Sequence, residues 1–238
     1  MKKETPPLPA IPEFVLQESL SIGAQLHRLL RTAIIEGELI PGQAISEIEM
    51  SRKFSISRQP VREAFIKLAE ERLVEVRPQR GTFVRKISLK EVLDARHLRE
   101  IIEVSIVREV AEKHDPSLIP RLRELIAKQQ ATHPKDAHAF FELDEEMHKT
   151  IAQHAGRDYA WRVSEGIKSQ LNRLRFLNLS YDFSTAKSEL VAEHIKTVDA
   201  IEASNPDLAA KHMQSHLRSI LKAVPMIVKQ HPDYFTDV

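Results

Sequence analysis

Hydrophobic residues in the first third of the chain change their spacing from helical to alternating. From Ile22 to Ile34 they recur every three or four positions, and Gly37 follows as a residue suited to a left-handed helix end. Ser46 and Ser57 are each placed to cap a further helix, and β-rich segments joined by a turn come next. This order predicts helices at 22–36, 46–54 and 58–72 and a hairpin with strands at 73–77 and 82–85.

Beyond Ser88 the apolar positions keep helical spacing, and the sequence predicts no strand. Proline and glycine mark the ends of successive helices, and Pro225 is expected to kink or end the last of them. Six helices with short connections predict an antiparallel bundle. The predicted ranges are 88–114, 118–131, 135–155, 158–180, 185–204 and 206–230.

These patterns predict a mainly α fold in three parts. A proline-rich, flexible leader at 1–18 precedes a winged helix-turn-helix domain at 19–86, and an all-α antiparallel helical bundle occupies 87–238. Residues 21–86 contain 12 basic against 8 acidic side chains, whereas 87–238 contain 21 against 23. A basic N-terminal domain on a mildly acidic body favours a nucleic-acid-binding module attached to a second function.

The amino-acid composition indicates the cellular compartment in which the protein is expected to work. The chain of 238 residues is 42% hydrophobic, which is enough for real cores, but it has no apolar run of about 18 residues that could span a membrane. Cysteine is absent, which excludes disulfides and thiolate chemistry. We therefore expect a cytoplasmic protein with no membrane partner.

The second helix of the predicted helix-turn-helix separates its polar and apolar residues. Val61, Ala64 and Leu68 form a stripe suited to burial, which leaves the start of the helix open to the major groove of DNA. Arginines there can bind guanine edges or phosphates, and the hairpin tip can approach the minor groove as a wing. Taken singly, each arginine is better explained as a solvated surface residue, and the DNA interpretation rests on the arginines sharing a face with Ser57 and Gln59 between a short capped helix and a hairpin. The predicted DNA-binding residues are Ser57, Arg58, Gln59, Arg62, Arg80 and Gly81.

Several ordered motifs resemble the GntR family of bacterial regulators. The C-terminal part resembles the FCD ligand-binding domain of the FadR-type branch, and together the resemblance covers about residues 20–222. It implies a winged helix-turn-helix that binds operator DNA and a helical effector domain. Ile48 departs from some relatives, which have arginine there, so the DNA contact of that arginine is not expected here. The matching motifs are Glu36-Gly37-Glu38-Leu39-Ile40-Pro41-Gly42, Ser46-Glu47, the run from Ser57 to Ala64, Leu73-Val74-Glu75 and Arg80-Gly81-Thr82-Phe83-Val84.

Four residues of the bundle form a possible metal-binding set. Asp144 and His148 lie four positions apart, so they point the same way from one helix, while His194 and His216 lie on two later antiparallel helices. Three imidazoles and one carboxylate suit Zn²⁺, Ni²⁺ or Mn²⁺. By itself, an Asp–His pair at this spacing is more often a hydrogen bond on a helix surface. The resemblance to FCD domains implies that all four are ligands of a divalent metal ion, with Zn²⁺ as the first candidate.

Two arginines of the bundle need an explanation, because an unpaired buried charge is costly. Arg99 lies four residues before Glu103, so an internal ion pair is one interpretation. The other is that Arg99 or Arg175 binds the carboxylate of an effector whose far end completes the coordination of the metal. Such a site would select small organic acids or sugar acids.

The combined hypothesis is a homodimeric transcription regulator that binds double-stranded operator DNA and responds to an effector. Repression and activation both stay open. A pure divalent-metal sensor is one alternative, and a metal-dependent hydrolase is a less favoured one. A hydrolase would need a general base beside the metal, but the spacing of Glu145 and Glu146 is expected to point them away from the ligands. We therefore predict no enzyme activity and no catalytic residues.

Overall fold

The computed structural model describes residues 20–113 and 115–236. The described residues form two compact units. The N-terminal unit extends to Glu91 and also contains residues 230–236, while the C-terminal unit comprises the described residues of Val92–Lys229.

The division differs from the sequence-based one, which placed the boundary after Lys86 and assigned 87–238 to a single domain. In the structure, residues 87–91 and 230–236 pack with the N-terminal unit. The physical reason is a pairing between segments far apart in the chain, which no local pattern reveals. The predicted leader at 1–18 lies outside the described residues.

The N-terminal unit combines three helices with a three-stranded antiparallel sheet in the order β1-β3-β2. Ala44 pairs with Phe83 across β1 and β3, and Val74 pairs with Val84 across β2 and β3. The first strand has only two residues, too few to produce a periodic signal, and the sequence did not predict it. The elements are α1 (Ile22–Ile35), β1 (Ala44–Ile45), α2 (Glu47–Lys53), α3 (Arg58–Glu70), β2 (Val74–Arg77) and β3 (Gly81–Val84).

The local signals that shape this unit act largely as predicted. Gly37 adopts φ +80° just after α1, so the expected left-handed residue is present. Ser46 and Ser57 precede α2 and α3 as expected, but neither side chain makes a capping hydrogen bond. The core of the unit includes Leu26 from α1 and Val61 from α3, both fully buried.

All the regular secondary structure in the described residues of the C-terminal unit is helical. Asp115 begins a short 3₁₀ turn, Pro116–Leu118, by accepting a hydrogen bond from the backbone of Ser117. A second 3₁₀ turn, Ile220–Lys222, separates the last two helices. The α-helices are α4 (Leu89–Glu112, which starts in the N-terminal unit), α5 (Ile119–Ala131), α6 (Ala137–His154), α7 (Asp158–Ile167), α8 (Ser169–Tyr181), α9 (Phe183–Glu202), α10 (Pro206–Ser219) and α11 (Val224–Gln230).

Two predicted helices are each split in the structure. The range 158–180 divides into α7 and α8 at Lys168, where Gly166 in the last turn of α7 weakens the helix. The range 206–230 divides between α10 and α11. Pro225 therefore stands in the first turn of α11 and does not end the last helix, because a first-turn proline loses no intrahelical hydrogen bond.

A continuous apolar core fills the C-terminal unit and surrounds the polar site described below. Its residues come from α4, α5, α6, α9 and α10, among other elements. In the described part of the chain, no helix is both long enough and apolar enough to cross a membrane.

Candidate metal centre and nucleic-acid interface

Four polar side chains meet inside the C-terminal unit. Asp144 and His148 come from α6, His194 from α9 and His216 from α10. All four are buried, and one potential ligand atom from each lies within 4.8 Å of those of the other three. The structure thus brings together the four residues that were singled out as candidate metal ligands.

The imidazole rings of this group face one another. His148 Nε2 lies 3.1 Å from His216 Nε2, and His194 Nε2 lies 3.4 Å from Asp144 Oδ1. His194 Nε2 and His216 Nδ1 have no hydrogen-bond partner among the described residues. Buried polar atoms without partners are costly, and a cation shared by the group would engage the nitrogen lone pairs that face it.

Two further side chains orient the rings from outside the group. His194 Nδ1 lies 2.8 Å from Gln129 Oε1, and Gln129 Nε2 donates to the carbonyl of Leu143 at 3.2 Å. Because the amide is fixed with its oxygen toward His194, Nδ1 carries the proton and Nε2 faces the group with a lone pair. On the other side, Glu103 Oε2 lies 2.7 Å from His148 Nδ1. Carboxylate and amide partners of this kind are typical behind metal-bound histidines.

The environment favours the protonation states that bind metal ions. Burial lowers the pKa of His194, and burial together with His194 and His148 holds the pKa of His216 well below its usual value. Burial by itself would raise the pKa of Asp144, but Arg175 and His194 outweigh it and hold that pKa well below its usual value. Neutral imidazole and ionised carboxylate are the forms that coordinate cations.

Arg175, on α8, binds two neighbouring carboxylates of α6. Its Nη2 contacts Asp144 Oδ2, and its Nη1 contacts Glu145 Oε1. Lys168 contacts Glu145 from the other side. The expectation that Glu145 points away from the ligands is therefore wrong, because these two cations hold its carboxylate inward beside Asp144. Glu146 is 40% exposed and faces solvent.

The ion pair considered for Arg99 is present. Arg99 Nε donates to Glu103 Oε1 at 2.6 Å, and both side chains are buried. The same carboxylate lies against His148, so Glu103 links the arginine to the histidine group. Burial would raise the pKa of Glu103, but Arg99 and His148 hold it well below its usual value. The pair therefore stays charged.

A cavity reaches the four-residue group. Arg99 and Arg175 line it together with Asp144 and His216. A cavity that combines cations with apolar walls fits a small organic anion. Contact of either arginine with an effector stays a prediction. The apolar wall includes Phe140, Phe141, Leu171, Leu179, Leu190, Leu217 and Ile220.

The candidate DNA-reading helix is α3. Arg58 begins it, with its side chain 65% exposed and Nη2 3.3 Å from Glu47 Oε2 of α2. Ser57, Gln59 and Arg62 are also exposed. The opposite face is buried as predicted, which leaves the polar face of the first turns open to solvent. The buried residues of α3 are Val61, Ala64, Phe65 and Leu68.

The hairpin of β2 and β3 carries the candidate wing. Arg80 and Gly81 are exposed at its tip, and Arg80 N–H donates to the Arg77 carbonyl at 3.0 Å across the turn. Gly81 has φ +102°, a conformation that favours glycine. The Arg77 guanidinium lies over the Phe83 ring at 4.5 Å, which ties the two strands together below the tip.

Sequence reasoning missed three side chains around the metal-ligand group: Gln129, Glu145 and Lys168. Gln129 left a signal, since it continues the buried stripe of α5 with helical spacing after Leu122 and Ile126. A polar residue on such a stripe requires a buried partner. Glu145 and Lys168 left no comparable signal, because their pairing depends on how α6 packs near the break between α7 and α8.

Two family models match separate parts of the chain. Residues 22–84 match "Bacterial regulatory proteins, gntR family", and residues 94–219 match "FCD domain". The two matches lie on the winged-helix elements and on the helical unit that holds the candidate metal centre.

Individual relatives extend the likeness to nearly the whole chain. The HTH-type transcriptional repressor RspR of Escherichia coli (strain K12) is 34% identical over 226 residues, covering 94% of this chain and 98% of RspR. An HTH-type regulator of Streptomyces ambofaciens is 34% identical over 210 residues, 88% of each chain. The solved structure of E. coli McbR/YncC superposes with a TM-score of 0.73 at 18% identity, covering 89% of this chain and 99% of that one, which supports the fold.

Proposed function

Because the chain belongs to the GntR family of bacterial transcription regulators and carries an FCD domain, we propose that a divalent metal ion and a small organic anion control its binding to operator DNA. Members of this family are DNA-binding regulators rather than enzymes. The family matches do not establish the metal ion or the anion. The observation that supports them is the meeting of four buried metal-ligand types and two arginines at one cavity.

The donor set fits a borderline ion. Asp144, His148, His194 and His216 would hold it, and Zn²⁺ suits three imidazoles and one carboxylate best, with Ni²⁺ or Mn²⁺ as other candidates. The unpartnered Nε2 of His194 supports this assignment, since a cation would engage a lone pair that no described residue satisfies. A bound ion would supply a fixed positive charge at the inner end of the cavity.

The effector is inferred from the charges around the cavity. Arg99 or Arg175 would bind a carboxylate of the effector, and the other end of the effector would complete the coordination of the metal ion. Small organic acids and sugar acids have this combination. A change in operator affinity requires that the effector bind one arrangement of the DNA-binding units better than another.

Operator binding by two copies is the second element of the proposal. α4 exposes three large apolar side chains, Leu93, Leu98 and Ile101, at 46%, 46% and 55%. Apolar side chains clustered on one helix are typical of a surface that a second subunit covers. The relative RspR is named as a repressor, and we infer repression here as well. Binding to chromosomal operators would place the protein in the cytoplasm.

Metal content tests the ligand set. His194→Ala removes one ligand, whereas His212→Ala removes a histidine of α10 one turn before His216 that is outside the group. We expect bound Zn²⁺ by elemental analysis in the unchanged protein and in His212→Ala, and little in His194→Ala. Equal metal content in all three would overturn the assignment.

A second experiment distinguishes regulation by an organic acid from the alternative of a pure metal sensor. Purified protein is screened by thermal shift against citrate, lactate and gluconate, each with and without Zn²⁺, and hits are tested for release of operator DNA. Stabilisation that needs both the acid and the metal supports the proposal. DNA release on removal of the metal alone, with no response to any acid, would favour the metal sensor.

Glu145 is a poor candidate for the general base that the hydrolase alternative requires. Burial would raise the pKa of Glu145, but Lys168 and Arg175 lower it to about 2. A carboxylate held this strongly by two cations is a weak proton acceptor at neutral pH. We therefore assign Glu145 to the binding of Arg175.

The DNA-reading surface is tested by paired arginine variants. Arg58→Ala removes an exposed arginine of α3, and Arg28→Ala removes an exposed arginine of α1 as the control. The operator is first selected from random DNA with the unchanged protein. We expect Arg58→Ala alone to lose specific binding by about tenfold or more, the range for one arginine contact to a base. Equal affinity of the two variants would refute the assignment.

A further inference from the structure

The residues that follow α11 return to the N-terminal unit. There they pair with residues 85–91, the connecting segment that follows β3. Ile87 N–H donates to the Tyr234 carbonyl at 2.8 Å, and Thr236 N–H donates to the Ile87 carbonyl at 3.0 Å. The two bonds flank Phe235 and form a parallel bridge between Ile87 and Phe235. Residues 230–236, the tail segment, thus pair through a single β-bridge with the chain just after the wing.

Side-chain burial supports this backbone pairing. Ile87 is 1% exposed and Phe235 is 3% exposed, so both side chains are almost fully buried. The ring of His231 stacks on Tyr234 with centroids 4.8 Å apart, and a 3₁₀ turn at Pro232–Tyr234 sets the direction of the segment. The contact is therefore built from several interactions.

The connecting segment is anchored from its other side as well. Glu91 pairs with Arg72 and with Arg85 at 2.9 Å each, and Arg85 N–H donates to the Leu73 carbonyl at 2.9 Å. The chain consequently leaves the N-terminal unit only after Glu91 and re-enters it at Gln230. Both segments lie outside the ranges that the two family models cover.

We propose that the tail segment is a reversible second tether, which restrains the DNA-binding unit through the Ile87–Phe235 contact. A unit connected by one chain crossing has more orientational freedom than a unit connected by two, and closing the second connection removes that freedom. Two hydrogen bonds and one buried ring are few enough to open without unfolding either unit. This inference needs neither the metal ion nor the effector of the proposed function.

The tether also has a place in regulation, since its chain comes directly from the candidate effector site. His216 and Ile220 line the cavity, and a neighbouring depression is lined by Ala223 and Met226, which are joined to the tail segment through α11. The cavity wall and the tail segment are therefore joined by a continuous stretch of chain. The element with two states is the tether, closed or open.

A reversible disulfide tests the tether within one protein. The chain has no cysteine, so Ile87→Cys with Phe235→Cys introduces its only two thiols. Neighbouring strands lie about 4.8 Å apart, within the Cα separation of about 4.4–6.8 Å that a disulfide spans. Oxidation closes the contact covalently, and reduction leaves it without the buried ring. The unchanged protein treated with the same oxidant is the control, and Phe235→Ser is a second open variant.

Three measurements are made on each form: affinity for an operator selected from random DNA, oligomeric state, and hydrogen exchange of α3 amides. We expect the oxidised protein to match the unchanged protein, and the reduced form and Phe235→Ser to bind about tenfold more weakly. Exchange in α3 and the oligomeric state should stay the same. Equal affinity of the oxidised and reduced forms would overturn the tether. Weaker binding that comes with lost protection in α3 would also overturn it, because the segment would then only stabilise the winged-helix core.

Discussion

Replacing Gln129 by leucine tests the candidate metal centre without removing a ligand. Gln129 is fully buried on α5, and its Oε1 accepts a hydrogen bond from His194 Nδ1 at 2.8 Å. Its amide is held by the carbonyl of Leu143. Leucine has a similar size but accepts no hydrogen bond, so the His194 ring loses the contact that turns Nε2 toward the other ligands. Metal affinity should fall while the fold is kept.

The expected loss of metal affinity follows from the removal of one hydrogen bond to a metal ligand. Loss of a hydrogen-bond partner behind a metal-bound histidine typically weakens metal binding by about 10–100-fold. A factor of ten is about 1.4 kcal/mol, near the net value of one hydrogen bond. The unpaired His194 N–H would be present both with and without the metal ion, so part of its cost cancels. We therefore expect the lower end of the range, a loss of about tenfold.

The assay is competition for Zn²⁺ against a chromophoric chelator. Gln130→Leu is the matched control, because it makes the same change one position along α5, where the residue is exposed. Operator affinity of the metal-free proteins should be equal in the two variants. A Zn²⁺ affinity for Gln129→Leu equal to that of Gln130→Leu would refute the idea that this amide orients a metal ligand.

Three further predictions concern stability and assembly. Burial would raise the pKa of Glu71, but His27 and Arg31, at 2.6 and 2.7 Å, lower it from 4.5 to about 2. Glu71→Gln should therefore cost the N-terminal unit up to about 3 kcal/mol at neutral pH, and this difference in urea unfolding should shrink as the pH falls from 4.5 toward 2. Ile101→Lys should shift sedimentation toward the monomer, and an unchanged dimer would exclude α4 as the interface. Lys168→Met should lower the free energy of unfolding by about 1–3 kcal/mol, because it leaves Glu145 with Arg175 as its remaining cation.

The order of the elements was predictable from the sequence because it depends on local signals. The winged helix-turn-helix followed by a helical domain is confirmed by the structure and by the family. Gly37 ends α1 as expected, since its position requires only glycine's access to positive φ. The break at Lys168 and the return of Phe235 to Ile87 were not predicted. Both depend on packing between segments that are distant in sequence, and helix propensity carries little information about such packing.

The candidate site, like the fold, was only partly predictable from the sequence. The spacing of Asp144 and His148 suggested a shared direction, but bringing in His194 and His216 relied on the resemblance to FCD domains. The side chains that set their orientation were harder to foresee. Glu145 was expected to point outward from its helical position alone, and Lys168 reverses that expectation because a fully buried ammonium group requires a carboxylate partner.

The separation of the two cores limits how an effector can act. The N-terminal unit has a complete apolar core of its own, including Leu26 and Val61, and the polar centre lies within a different core. A ligand that binds only the folded C-terminal unit stabilises that unit by mass action, but this leaves α3 unchanged. Under the proposed function, an effector would therefore act on the orientation or freedom of the winged-helix unit. The chain crosses between the units after Glu91 and before Gln230, so a protein with an open tail segment should still bind its ligand but respond to it more weakly.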